Sequence, residues 1–371
     1  MKKIFLLSSL FLLTMVGCAE QTSSLTTSSN NSTTSNTTTS VETTTSEATT
    51  SIDQALVNAK NEAKKALQDF VEEQIIQDKT QLNNLLTSLL VKIDEASSIE
   101  QVNTEKENGL ALLQEIANTL KEMEELKAKQ LEAISTLNNI DLSNYDEEGK
   151  TEANNLINQG VENIYAASTE DEINNIINKV KEDIAKIKTK TEKFFNQMVN
   201  EVAPDAFKFN DNKILNEQTS GSTEFHMGKQ DGNTSSVVDF YITANYKDVK
   251  WSILTFKFRK WDNNSTLEVV AQDASLTFKS VTWDNGQVKT TIETKETGLK
   301  NNTKTHIQIL SCGWQKTVLI DDVKVFSLNT DKYCVGYFGV ESWDTSYTIE
   351  DALYQEYDDQ TMKEKYGNLL F

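Results

Sequence analysis

One proline, Pro204, and 13 glycines in 371 residues leave this chain few of the residues that break helices. Histidine and cysteine are equally scarce. His226 and His306 stand far apart, the three cysteines form no close spacing with them, and a Cys/His metal site is thereby argued against. Positive charge is in deficit, 36 Lys and Arg against 56 Asp and Glu, for a net −20. Such a chain repels nucleic acid and anionic lipid, so no nucleic-acid partner is expected. Beyond the N-terminus no apolar run approaches the ~20 residues of a membrane-spanning helix.

The N-terminus itself is informative. Lys2 and Lys3 precede an apolar run from Ile4 to Met15, and Met15-Val16-Gly17-Cys18 follows. Charge, short apolar core and small residue before a cut describe a secretory signal over 1–17. A cysteine directly after the cut resembles a bacterial lipoprotein signal, although Met15 stands where leucine is usual. The resemblance implies lipidation of Cys18, a membrane contact through that lipid, and a place on the extracellular face of the cell membrane. Two acyl chains on one cysteine would make the anchor lasting. Residues 18–52, almost entirely Ser, Thr and Asn, can bury no core and read as a disordered tether.

From 53 to 200 apolar residues recur three and four apart, as in Leu82, Leu86, Leu89, Leu90, Ile93 and in Leu110, Leu113, Ile116, Leu120. This is the period of amphipathic helices, expected over 53–75, 78–97, 99–138, 147–167 and 170–200. The segment repeats: 93–103 (IDEASSIEQVN) matches 164–174 (IYAASTEDEIN), an offset of 167 − 96 = 71 residues. Each copy has an Ala-Ser helix end, then a Ser or Thr cap. The block resembles the FIVAR and GA-module helical repeats of Gram-positive surface proteins. That family includes spacers and protein binders, so both a stalk and an adhesin are implied.

Past Pro204 short alternating runs and turn signals such as Asp284-Asn285-Gly286 replace helical spacing, and strands are expected from 236 to 356. The stretches 305–322 (THIQILSCGWQKTVLIDD) and 333–346 (YCVGYFGVESWDTS) resemble the closing strands of concanavalin A-like lectin and glucanase sandwiches. The fold class expected is therefore multidomain: all-α three-helix-bundle repeats, then an all-β jelly-roll sandwich over 201–358, with a tail at 359–371. The resemblance implies a carbohydrate ligand.

Alternation over 251–261 sends Leu254, Phe256 and Phe258 to the core and Trp251, Arg259 and Trp261 outward. Over 333–343 it puts Tyr337, Glu341 and Trp343 opposite Phe338 and Val340. Trp251, Arg259, Trp261 and Tyr337 are the candidate carbohydrate-binding residues, and packing under another element is the competing reading. Trp343, part of the closing motif, reads as structural. Outside the cell Cys312 and Cys334 could pair; two buried thiols are the alternative. Calcium is a weak implication of the resemblance, with Asp321, Asp322 and Asp331 the nearest acids. No Glu-x-Asp-x-x-Glu strand motif is present, so the expectation is a noncatalytic glycan binder. A protein-binding adhesin and a glycoside hydrolase are the alternatives.

Overall fold

The computed structural model describes residues 46–228, 235–262, 265–282, 290–330 and 336–371, and their side chains except those of 46–53, 259–262, 265, 282 and 290. Cys18 and the rest of 18–45, Asp331 and Cys334 lie outside the described residues, while 46–52, expected as the end of the tether, are helical. The chain divides into two compact units, the first ending at Leu113 and the second comprising residues 74–79 and 114–371. No helix among the described residues is long and apolar enough to cross a membrane.

The first unit holds α1 (Ser46–Glu73), α2 (Thr80–Glu95) and the start of α3 (Ile99–Asn138). Leu67, Leu82, Leu89, Ile93, Val102 and Leu113 bury their apolar faces there. In the second unit the end of α3, α4 (Glu147–Ala166) and α5 (Glu170–Ile184) enclose Leu137, Ala153, Ile157, Ile164, Ile173 and Val180.

The 71-residue repeat is physical. At the start of α3, Gln101 N–H donates to Ser98 Oγ (3.2 Å), while the Gln101 carbonyl oxygen accepts from Ser97 N–H (2.9 Å). At the start of α5, Glu172 N–H donates to Thr169 Oγ1 (3.2 Å), and the Glu172 carboxylate accepts from Ser168 N–H (2.7 Å). Both are reciprocal caps of the capping-box kind. One core contact is preserved with its partners exchanged. A Cβ on Gly109 would stand 3.2 Å from Leu89 Cδ1, and a Cβ on Gly160 would stand 2.7 Å from Val180 Cγ2. Leu89 and Gly160 are equivalent in the repeat, as are Gly109 and Val180 (89 + 71 = 160, 109 + 71 = 180). In each copy one large and one small residue fill the space.

The helix expected over 170–200 breaks. It ends at Ile184, and α6 (Lys190–Gln197) begins under a new cap, Thr189 Oγ1 accepting from Glu192 N–H. α6 belongs to the sandwich. Phe194 is fully buried in its core, its ring 6.2 Å from that of Phe225 and 6.3 Å from that of Phe240, both edge-on. Lys193 reaches back to Asp146 at the α4 cap (2.8 Å), and Lys190 N–H donates to Asn144 O (2.9 Å).

The sandwich consists of two seven-stranded antiparallel sheets of the jelly-roll class, as expected. The first orders β1 (Val199–Val202), β4 (Ser222–Met227), β13 (Tyr337–Trp343), β6 (Ile253–Asp262), β7 (Ser265–Ala271), β8 (Leu276–Thr282) and β9 (Thr290–Lys295). The second orders β12 (Val323–Asn329), β11 (Gln315–Ile320), β10 (Lys304–Cys312), β5 (Ser235–Tyr246), β14 (Thr345–Tyr357), β3 (Lys213–Asn216) and β2 (Phe207–Asn210). Alternate residues face inward: Phe225, Phe338, Val340, Leu254, Phe256 and Phe258 meet Phe240, Ile242, Ile307, Ile309, Phe326 and Ile349. Burying each such side chain stabilises by about 1.5–3 kcal/mol. A buried polar link joins the sheets where Asn216 Nδ2 donates to Thr223 Oγ1 (2.9 Å) and Ser342 Oγ (3.3 Å).

Residues 359–371, set apart as a tail by the sequence, contain α7 (Asp359–Leu370), capped by Asp358. Its Met362 and Leu370 are buried against Val237, Leu310, Cys312 and Leu319 on the outer face of the second sheet. Cys312 is a free thiol there, its Sγ 3.9 Å from Asp359 O.

Candidate functional site

The outer face of the first sheet gathers charge and aromatic rings. On β4 the inward Thr223, Phe225 and Met227 leave Glu224 and His226 outward; on β13 the inward Phe338 and Val340 leave Tyr337, Gly339, Glu341 and Trp343 outward. Strand pairing aligns His226, Gly339, Lys257, Glu268 and Lys279 in one row across five strands. Glu224, Glu341 and Thr255 form the adjoining row.

Lys257 is the centre. Its Nζ lies 2.9 Å from Glu224 Oε1 and 2.9 Å from Glu341 Oε2. Although it points away from the core it is only 8% exposed. Burial opposes its charge, but Glu341 and Glu224 outweigh that and hold the ammonium above the usual lysine range. Beside it Glu268 accepts from Thr266 Oγ1 (2.5 Å) and pairs with Lys279 (3.3 Å).

Along β13 the face changes character. Tyr337 stacks on the His226 ring at 4.5 Å, and His226 Nδ1 lies 3.0 Å from Glu201 Oε1. Gly339 follows without a side chain; a Cβ there would stand 3.0 Å from Phe225 O. Next come Glu341, partly exposed, and Trp343, 52% exposed. Gly339 is buried, its missing side chain letting the β4 backbone approach, and the outward side chains of β13 run from a stacked ring pair at one end, through paired charges, to an exposed indole at the other. From Tyr337 to Trp343 is about 20 Å at the rise of a strand.

The four predicted residues fare differently. Tyr337 stands on the expected face. Trp251 is exposed, at 77%, but it is not on the strand: it closes a turn, its N–H donating to Asp248 O (3.1 Å), and β6 begins only at Ile253. Arg259 and Trp261 lie on β6, with side chains outside the described set. Alternation cannot carry from Phe258 to them, because the β6–β7 register shifts between Phe258 and Asp262 and the β13–β6 register between Tyr337 and Gly339.

Sequence reasoning placed Trp343 on this outward face while reading it as structural, and it missed His226 and Glu224 there. The Thr-Glu-Phe-His-Met alternation of 223–227 was the available signal. Other acids of the sandwich have structural employment. Asp344 accepts from Gly221 N–H (2.7 Å), Glu350 lies between Lys213 and Lys304, and Asp351 pairs with Lys190 (2.7 Å). Asp321 and Asp322 form a hairpin turn with positive φ. Asp321 accepts from His306 N–H (2.9 Å), and Asp322 contacts His306 Nδ1 (2.9 Å). Among the described residues no group of three His, Cys, Asp or Glu side chains is placed to hold a metal ion.

No protein-family model matches the chain, and no curated protein resembles it in sequence. Among solved structures it is similar to carbohydrate-binding module CBM66 from Bacillus subtilis, at 15% identity and TM-score 0.35, covering 43% of this chain and 96% of that one. It is similar to the metal-free Emp46p carbohydrate recognition domain at 9% identity and TM-score 0.35, covering 45% and 91%. A third is the Caenorhabditis elegans galectin LEC-6, at 12% identity and TM-score 0.29, covering 40% and 100%.

Proposed function

We propose that the sandwich is a noncatalytic carbohydrate-binding module that takes a glycan on the outer face of its first sheet, along β13. The observation that carries this reading is the strand itself. Trp343 offers an exposed ring for a sugar face, and Glu341, His226 and Tyr337 place hydrogen-bonding groups on the same outer face of the sheet. Sites of this kind pair apolar surface with a few convergent polar groups. Glu224 and Glu341 converge as a hydrolase pair would, but the Lys257 ammonium fills the space between them where a scissile bond would have to lie. That favours binding over hydrolysis.

A glycan array probed with the chain and with Trp343→Ala tests the reading. Binding that disappears in the variant supports it. A folded protein that binds no glycan overturns it and turns attention to a protein partner of the helices.

The reading includes display. Cys18 carries a lipid, 18–45 tethers, and the helices hold the sandwich away from the membrane. Radiolabelled palmitate should enter the parent chain in a Gram-positive host and fail to enter Cys18→Ala. Equal labelling of both would remove the anchor from the reading.

A further inference from the structure

A cleft lies on the outer face of the second sheet, where three parts of the second unit converge. In β14 the pairing with β5 slips between Glu350 and Leu353, with Asp351 at φ +57°. Thr191 of α6 fills the slip, its Oγ1 accepting from Ala352 N–H (3.0 Å). Because one residue is added, the alternation reverses. Ala352 and Tyr354 now pack against the sandwich core, and Leu353, Gln355 and Tyr357 stand on the outer face. They floor a cleft of about 510 Å³, walled by Tyr145, Asp146, Glu147, Glu148 and Lys150 at the start of α4 and by Lys365 and Tyr366 of α7. This is the size of a small-ligand site.

Its chemistry is specific. The rim's acids are paired, Glu147 with Lys150 (2.9 Å), Asp146 and Glu148 with Lys193 (2.8 and 3.2 Å), and Asp351 with Lys190 (2.7 Å), and the further cation Lys365 lies over the Tyr357 ring. An ionic ligand would have to break these contacts. Three tyrosines remain, with Tyr357 and Tyr366 tilted at 6.1 Å and Lys365 over the Tyr357 ring at 4.7 Å. The Gln355 amide, whose Nε2 donates to Glu356 O (3.1 Å), and the Tyr145 phenol, which donates to Ile184 O (3.1 Å), keep acceptor oxygens as neutral hydrogen-bonding groups. Ring faces beside uncharged polar groups suit a ligand with apolar faces and a hydroxyl edge. We infer that this cleft is a second binding site, for a short neutral saccharide. The inference does not rest on the β13 site, which occupies the other sheet.

The test is calorimetric titration of the full chain with cellotriose, maltotriose, mannotriose and chitotriose, repeated with Gln355→Arg, Lys150→Trp and Trp343→Ala. Gln355→Arg fills the floor. Lys150→Trp obstructs the cleft from a helix surface, so it serves even if the floor variant fails to fold. The expected result is one trisaccharide whose affinity survives Trp343→Ala and falls at least tenfold in both cleft variants. Binding lost only in Trp343→Ala would overturn this site and leave the β13 reading standing. Binding to none of the four sugars, or affinity unchanged by both cleft variants, would also overturn it.

Discussion

The two sheets of the sandwich treat their outer faces in opposite ways. The second sheet hides much of its outer face under its own chain: α7 lies on Val237, Leu310, Cys312 and Leu319. The first sheet instead closes its outer face with charge, Glu224, Lys257 and Glu268 packing side by side nearly out of water. One face is sealed by apolar burial, the other by mutual ion pairing. The lesson concerns cost. Apolar cover is forgiving, whereas a buried ion is tolerable only while its partners stay in place.

The largest effect should therefore come from the first face. Lys257→Met leaves Glu224 without its buried ammonium and should cost about 3–5 kcal/mol, read as a lowered urea midpoint. A loss near zero would mean the charges are wetter than the geometry indicates. On the second face, Met362→Ala removes a fully buried side chain of α7, and about 2–4 kcal/mol is expected. If the loss is smaller than for Lys257→Met, the contrast between the faces sharpens.

The polar remainder of the second face should respond to pH. His306 lies 2.8 Å from Asp239 through Nε2 and 2.9 Å from Asp322 through Nδ1, and stacks on Tyr241. Burial works against its charge, but Asp239 and then Asp322 outweigh it and raise its pKa above the ordinary value. A raised folded value means the stabilisation is full below about pH 6.5 and fades as pH climbs through the folded value. The melting temperature should fall over that rise, and His306→Gln should flatten the fall. The smallest stability effect belongs to Trp343→Ala, an exposed site, within about 0.5 kcal/mol. Its effect on glycan binding should be the largest of all, and losing stability without losing binding would return Trp343 to a structural role.

Much of this was legible beforehand. Helix period located α2 to α5, and Ser or Thr caps marked the starts of α3 and α5, because those signals are local. The break at 185–189 was written in Thr189-x-x-Glu192, a capping pair overlooked inside an apolar rhythm. The hairpin of β2 and β3 was marked only by Asp211-Asn212, both at positive φ, and its strands are four residues each. The repeat was readable from 93–103 and 164–174, yet the Gly109–Leu89 and Gly160–Val180 exchange was not: aligned position by position, each looks like a mismatch. Packing conserves the sum of two volumes, and a single position does not record a sum. The charged face of the first sheet was hidden for a similar reason. Lys257, Glu224 and Glu341 are far apart in sequence, and only strand order makes them neighbours.

Phe194 has one more consequence. The chain passes from the helices into the sandwich through α6, and the first strand after it, β1, pairs only with β4 at the rim of its sheet. Edge strands peel one hydrogen bond at a time when pulled from an end. A pull arriving from the helical side meets Phe194 first, wedged between the sheets, together with the Lys190–Asp351 and Lys193–Asp146 pairs. The strain of such a pull thus falls on several groups at once before β1 can begin to unzip.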